Sequence, residues 1–428
     1  MILRKLNKGK NMKKIILASV VTSSILMAGG YKIPESSVNA VALSAANVAH
    51  TTGADAAYYN PANMIFMADE HSLELDITYI SLDALNYQGN YTSKLSGATT
   101  THNINSKEET FYIPTFHYVS PKIGEARVGF SMVTPGGLSK RWDTQPAQGS
   151  AEEFTLETIE LSPTVALPVG SNIAIAAGIR VLYSKGIAKA SAPGIMKQDM
   201  SGDSIDFGYN LALAYKPNSA LDIGVTYRSQ INMTLDGDAN LYFKGGTYAN
   251  GTIPTVADRT YKGAVTLPLP AALNLAAAYT FSSDTTIEFV YERNFWSEYK
   301  NLDFNYKDPY AEGVFGNAKP KNWDDSNIYR LGLTQVLGDA TIMAGFVYEK
   351  SPTPTKTVGF ELPDSDQTSV SLGGRYAINK SIDFALAGLY SMREARTITA
   401  ADANDNGLVG TFAESNVLII SAGVGYKF

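Results

Sequence analysis

The chain has 428 residues, no cysteine and a formal net charge of −6. Without cysteine there is no thiolate metal site, thiol nucleophile or disulfide scaffold, and an acidic balance is a poor basis for holding nucleic acid. The length exceeds that of most soluble domains but suits one large all-β domain.

The first residues read as a targeting segment. Arg4, Lys5, Lys8, Lys10, Lys13 and Lys14 form a basic stretch without an acidic residue, the apolar run Ile15 to Met27 follows, and Ala28, Gly29 and Gly30 are small. A basic start, a short apolar run and a small-residue exit are the parts of a secretory signal, and the run is too short to span a bilayer. Residues 1–29 are therefore expected to be a signal peptide with an upstream basic extension, Met12 being a second candidate start, and the first residue of the mature chain is expected to lie between Gly29 and Tyr31. Subtracting the six bases from the 35 leaves 29 against 41 acidic residues, a net charge of −12. No later apolar run approaches the roughly 20 residues a membrane helix needs. The chain is expected to be exported without a helical anchor.

Tyr31 to Asp69 does not alternate and is rich in Ala, Ser and Asn, with Ala40, Ala42, Ala45, Ala46 and Ala49 close together. One or two short helices are expected, ending near Gly53 and at Asn60-Pro61, because proline disfavours helix at the residue before it. Small side chains suit close packing in a confined space, so residues 30–70 are expected to lie as a plug inside the rest of the fold.

From Leu73 onward apolar residues recur at every second position. Leu73, Leu75, Ile77 and Tyr79 alternate with Glu74, Asp76 and Thr78, and Leu221, Ile223, Val225 and Tyr227 with Asp222, Gly224 and Thr226. Such a strand has one greasy face and one polar or small face. Tight junctions such as Pro121 to Gly124, Pro168 to Ser171 and Leu337 to Asp339 alternate with long polar stretches, Gln88 to Asn105, Pro135 to Glu152, Lys244 to Lys262 and Asp303 to Asp325. Short turns on one side and long loops on the other mark an outer-membrane barrel, so residues 71–428 are expected to form an all-β transmembrane antiparallel barrel of about 14 strands. Tyr215, Tyr227, Tyr279, Tyr348 and Tyr376 fall near strand ends, where an aromatic girdle belongs. The last strand alternates through Leu418, Ile420, Ala422, Val424 and Tyr426 to a terminal Phe428, which resembles the signal read by the barrel assembly machinery. The outer membrane of a Gram-negative bacterium is the expected location, with membrane lipid and lipopolysaccharide as surroundings.

Gly30-Tyr31-Lys32-Ile33-Pro34-Glu35 and Gly53 to Met64, with Asn60-Pro61-Ala62 before the first strand, resemble the N-terminal hatch of the FadL family. Tyr112 to Tyr118, Thr134-Pro135-Gly136-Gly137-Leu138-Ser139, Leu267 to Ala271, Asn322-Trp323-Asp324-Asp325 and Ser351-Pro352-Thr353-Pro354 continue the match in order. The resemblance implies a monomeric fourteen-strand barrel plugged by its hatch. It implies capture of long-chain fatty acids or similar hydrophobic compounds between outer loops, transfer to an internal apolar site, and sideways release at a kinked third strand.

The resemblance places substrate contacts at Tyr31, the aromatic at the mature N-terminus, and at two cationic positions. One is the stretch after the fifth strand, where the expected arginine is replaced near Ala190 and Lys185 and Lys189 stand close by; the other is Lys319 and Lys321, ahead of Trp323. Asn60, Pro61 and Ala62 are expected to hold the hatch, and Pro135, Gly136 and Gly137 to mark a lateral gate. A fatty acid needs a greasy slot, worth roughly 0.8 kcal/mol per methylene, and a cation that orients its carboxylate.

No enzyme, cofactor or metal is expected. The four histidines, His50, His71, His102 and His117, show neither HExxH-like spacing nor the setting of a Ser-His partnership. The competing readings are a general porin for small polar solutes, against which the small-residue plug counts, and an adhesin-like barrel acting through its loops.

Overall fold

The computed structural model describes residues 29–428; the expected leader, apart from Gly29, lies outside the described residues. A single sheet of 19 hydrogen-bonded segments closes on itself. Four wall passages are each split by a break and Lys319–Pro320 is a two-residue stub, so the wall is crossed fourteen times, all antiparallel. The first strand, Ser72–Leu82, closes the barrel by pairing on one side with Glu109–Val119 and on the other with the last strand, Ser415–Lys427. At that seam Phe428 stacks on His71 with ring centroids 4.5 Å apart.

Alternation makes the wall, and its sense is inverted relative to a soluble protein. In the first strand Glu74, Asp76 and Thr78 are buried while Leu75 and Ile77 are about half exposed, at 54% and 48%. The sixth strand, Met196–Tyr215, presents Ile205, Phe207, Tyr209 and Leu211 outward in the same way. Such an apolar band is stable only against lipid. Among the described residues no helix is long and apolar enough to cross a membrane; the crossing is made by strands.

The interior is packed rather than open. Residues 31–49 enter the lumen and form a short helix, Val38–Ala42, with Ser37 accepting from the Ala40 N–H at its start. A second helix, Ala56–Tyr59, leads to the 3-10 turn Pro61–Phe66. Ala40, Ala42, Ala46, Ala56, Ala57 and Ala62 are all fully buried. Small side chains let this plug approach the wall closely, as the composition suggested.

Two expectations about loops change. Gln88 to Asn105 is not irregular: Asn86–Thr92 and Thr99–Asn105 pair, and with Arg396–Ile398 and Leu408–Phe412 they form a separate four-stranded sheet. Tyr87, Trp142, Phe360 and Phe412 cluster beneath it. Lys244 to Lys262 is likewise half strand, since Val256–Leu269 begins inside it. Both strands extend past the lipid, where neither face must be apolar and period two no longer betrays a strand.

Candidate functional site

The third wall passage carries the main irregularity. Arg127–Val133 stops, and Gly137–Arg141 resumes after a break at Thr134, Pro135 and Gly136. Proline cannot donate to a ladder, and it sits where pairing ends. The second strand pairs with the third only from Phe116↔Met132 to Val119↔Gly129. The ladder between them ends at Phe116, and Gly137–Arg141 pairs onward with the fourth strand, with Arg141 bridging back to Glu109 through its side chain. Above the gap the Lys107 N–H donates to the Arg141 carbonyl at 2.9 Å. The result is a window in the wall, closed below and above. Pro135, Gly136 and Gly137 form its edge, and burial loses its alternation there because residues 135–140 are covered on both faces.

What covers them from inside is the start of the hatch. The Ile33 N–H donates to the Pro135 carbonyl at 2.9 Å, and the Gly137 N–H donates to the Tyr31 carbonyl at 2.8 Å. Tyr31 to Ile33 thus acts as a short strand laid on the window's edge. Thr158 braces the same edge, accepting from the Gly136 N–H at 3.2 Å and donating to the Gly136 carbonyl.

The Tyr31 ring lies in an aromatic box. Its centroid is 4.9 Å from Trp296, 6.0 Å from Trp323 and 6.3 Å from Tyr299, and its hydroxyl donates to the Pro268 carbonyl at 2.6 Å. Trp296 and Tyr299 come from a 3-10 turn that interrupts the ninth passage between Phe295 and Asn301. Each edge-to-face pair adds about 0.5–1.5 kcal/mol beyond area burial. Gly30 is required beside it: a Cβ there would meet Trp323 and Trp296 carbons at 2.6 and 2.8 Å, and its φ of +82° disfavours other residues. Burial, with Tyr299 adding to it, pushes the Tyr31 phenol far above its ordinary range, so it stays neutral.

Two adjoining slots lie among the barrel strands. The first is narrow and apolar, with Phe154, Met200, Leu235, Val265, Leu267 and Phe304 in its lining. The second shares Phe154, Ala188 and Phe304 with it and adds Lys189, Gln198, Lys319 and Glu361. A larger hollow lined by Asp236, Lys262, Asn305 and Glu312 is polar and shares no residue with these two, so it is not part of an apolar path.

Of the four lysines marked in the sequence, Lys189 and Lys319 both border the second slot. In Ile173–Ala192 the buried residues are Leu182, Ser184, Gly186 and Ala190, and Lys185 and Lys189 fall on the opposite parity. The Lys189 ammonium donates to Glu153 at 2.7 Å on the neighbouring strand, and Lys185 lies opposite Glu157 and Asp203. Ala190, where the resemblance led one to expect an arginine, does face inward and is apolar. Lys321 is buried in an ion pair with Glu361. Burial alone would raise the Glu361 carboxyl, but Lys321 carries it below its usual range. Lys319 borders the second slot and has no ion-pair partner among the described residues. It keeps contact with water, yet the protein around it desolvates it enough to lower its pKa, against the pull of Glu361.

Asn60, Pro61 and Ala62 sit where the hatch meets the wall. The Asn60 side chain donates to the Val48 and Leu213 carbonyls at 2.9 and 3.3 Å and accepts from the Ala62 N–H at 3.2 Å; Pro61 opens the 3-10 turn. Sequence reasoning missed Arg127, which is fully buried and donates to the carbonyls of Met64, Met67, Ala68, Glu70 and Ser120. It also missed Trp296 and Tyr299. A tryptophan just past a strand end was the available signal. His117 forms no hydrolytic pairing with an open nitrogen: Nδ1 contacts Ser131 at 2.9 Å and Nε2 the Ser36 carbonyl at 2.8 Å.

Comparison with known proteins agrees with this architecture. The family described as "Outer membrane protein transport protein (OMPP1/FadL/TodX)" matches residues 19–428. A long-chain fatty acid transport protein of Escherichia coli O6:H1 is 24% identical over 366 residues, covering 77% of this chain and 79% of that one. Outer membrane protein P1 of Haemophilus influenzae is 22% identical, covering 90% and 93%. Among solved structures, a Pseudomonas aeruginosa FadL homologue superposes with a TM-score of 0.76 at 19% identity, covering 93% of this chain and 99% of that one. The Pseudomonas putida toluene transporter TodX gives 0.68 at 16%, covering 95% and 99%.

Proposed function

The chain belongs to the outer membrane protein transport protein (OMPP1/FadL/TodX) family, and on that footing we propose that it takes up long-chain fatty acids and similar hydrophobic compounds across the outer membrane. Substrate enters between the outer loops, its carboxylate turns toward Lys319, and its tail lies along Phe154, Met200, Leu235 and Leu267. It then passes to the Tyr31 box and leaves sideways through the window between residues 109–115 and 134–140. The reading is a transporter and not an enzyme, monomeric, inserted by the barrel assembly machinery and surrounded by outer-membrane lipid and lipopolysaccharide.

The observation that carries this reading is the attachment of Tyr31 to both ends of the path. Its ring closes the aromatic box while its backbone is paired to the window's edge. A ligand that displaces the ring therefore pulls on the edge strand. A diffusion pore for polar solutes fits less well, because the lumen is filled by buried hatch residues.

Tail burial at roughly 0.8 kcal/mol per methylene dominates affinity, and Lys319 adds orientation. Lys319→Ala should weaken oleate binding about tenfold, roughly 1.4 kcal/mol, and leave the matching alcohol within about twofold. Calorimetry on the purified barrel with both ligands tests this. Equal loss for acid and alcohol would remove Lys319 from the headgroup site. No binding of either by the unaltered protein would remove the transport reading.

A further inference from the structure

Residues 29 and 30 run between two buried carboxylates. A Cβ built on Gly29 would stand 1.7 Å from Glu349 Oε1 and 2.7 Å from the Glu349 carboxyl carbon. A Cβ lies about 2.5 Å from its own backbone nitrogen, so by geometry that oxygen is within roughly 4 Å of the Gly29 nitrogen. Next along the chain, the Gly30 N–H donates to Asp364. Glu349 and Asp364 are buried, at 4% and 0% exposure. Asp364 also accepts from Ser351 Oγ at 2.6 Å and pairs with Arg393 at 3.1 Å. Glu349 has, among the described residues, only a marginal 3.4 Å contact from Gln367 Nε2 and no ion pair.

Glu349 stands apart from the carboxylates around it. Lys32 and Arg330 both pair with Glu292, Arg393 pairs with Asp364, and Arg396 adds positive charge beside Asp364. Glu35 and Glu349 are left without an ion pair among the described residues, and Glu35 Oε2 has no hydrogen-bond partner. A buried carboxylate is strongly disfavoured in its charged form without a cation, so a positive group placed beside Glu349 would be held tightly.

We propose that the partner of Glu349 is the α-ammonium of Gly29, made when the leader is removed by hydrolysis of the Ala28–Gly29 bond. In that step water adds across the peptide bond. The Ala28 acyl carbon takes the hydroxyl and leaves as the leader's carboxylate, and the Gly29 nitrogen takes the hydrogen and is protonated by solvent. Ala28 is a small residue of the kind leader peptidases accept before the scissile bond. The new ammonium pairs with Glu349 and fastens the mature N-terminus inside the lumen. Tyr31, two residues on, is thereby set in its aromatic box. Processing is then a step in building the interior site as well as a step in export. The proposal rests on the leader reading and is independent of which molecule is transported.

The test uses protein purified from outer membranes. Intact mass and N-terminal sequencing should give Gly29 as the first residue. Acylation with an amine-reactive ester, followed by peptide mapping, should label the exposed Lys244 readily, while the α-amine reacts at least about tenfold more slowly than in heat-unfolded protein. Glu349→Gln should bring the α-amine rate to within about twofold of the unfolded rate, with barrel assembly checked by heat-modifiable gel mobility. Should that variant not assemble, a form with one serine inserted between Ala28 and Gly29 gives the same readout, because its amine is displaced from Glu349; hydrogen exchange at residues 29–36 should then accelerate. A different first residue, an α-amine that reacts in the folded wild type as fast as in the unfolded chain, or undiminished protection in the assembled variants would overturn the proposal.

Discussion

The two sides of the first two strands are built on opposite plans. At the seam, Ser72–Leu82 and Ser415–Lys427 pair through eleven consecutive positions without a shift. One strand over, the second and third strands hold only four pairs before the third turns inward at Pro135. The seam's backbone needs nothing from the interior: its ladder satisfies its hydrogen bonds in lipid. The broken side is satisfied by the hatch instead, through Tyr31 and Ile33, with Thr158 of the fourth strand bracing Gly136. An unpaired wall in a membrane is tolerated only where another part of the protein covers it. Wall and plug therefore share backbone hydrogen bonds on this side, whereas at the seam the plug meets the wall through side chains, as where the Val38 N–H donates to Asp76 at 3.2 Å.

That contrast can be broken most severely at Gly136. A Cβ there would meet Leu269 Cδ1 and the Tyr31 carbonyl at 3.0 Å each. Gly136→Asp adds an unpaired buried charge, a cost of several kcal/mol, to that crowding. Oleate uptake at equal surface level should fall at least about tenfold, with normal heat-modifiable mobility because the seam is untouched. Undiminished uptake would mean that this edge is not on the route.

Arg127→Ala comes next. Losing one side chain that serves five carbonyls should destabilise the hatch by about 3–5 kcal/mol, and hydrogen exchange over residues 61–70 should rise steeply. The strand itself should remain, and a small sugar should begin to leak. Protection unchanged from wild type would show that the hatch is held elsewhere.

Asn60→Ala should do less, about 1–3 kcal/mol, because it leaves the Val48 carbonyl to the Asn63 amide. Uptake of oleate should drop severalfold without sugar leakage. Loss of Phe428 should have the smallest effect on transport by assembled molecules. Its stacking on His71 is worth about 0.5–1.5 kcal/mol, so assembled barrels should keep their heat resistance while fewer assemble. Normal assembly yield would show that the terminal aromatic is not the signal it resembles.

Much of this architecture could be read from residues alone, for physical reasons that also mark where reading stopped. Lipid demands a greasy outer face, so Leu75, Ile77, Leu418 and Ile420 announce their strands by alternation. Small residues announce a plug, and Pro135-Gly136 announces a break. Parity, however, tells only that a strand has two faces. Above the lipid both faces are wet, and nothing in the order Lys185 to Ala190 says which face meets the lumen. Ala190 is the buried residue there, and Lys189, on the opposite parity, still borders the second slot. The partners of Tyr31 are distant in sequence: Pro268, Trp296 and Trp323 meet it only once the barrel has closed. Arg127 reads as an ordinary strand arginine until the carbonyls it serves are folded around it.

On the proposed route, substrate leaves sideways, between residues 109–115 and 134–140, after passing Tyr31. The most direct check is a map of covalent adducts formed by a long-chain fatty acid carrying a photoactivatable diazirine at its tail, flashed during uptake and located by peptide mass spectrometry. Adducts are expected at Tyr31 and on both borders of the window, with few on the 3-10 turn Pro61–Phe66. Adducts concentrated on that turn and absent from both borders would contradict the sideways route and send the substrate through the plug instead.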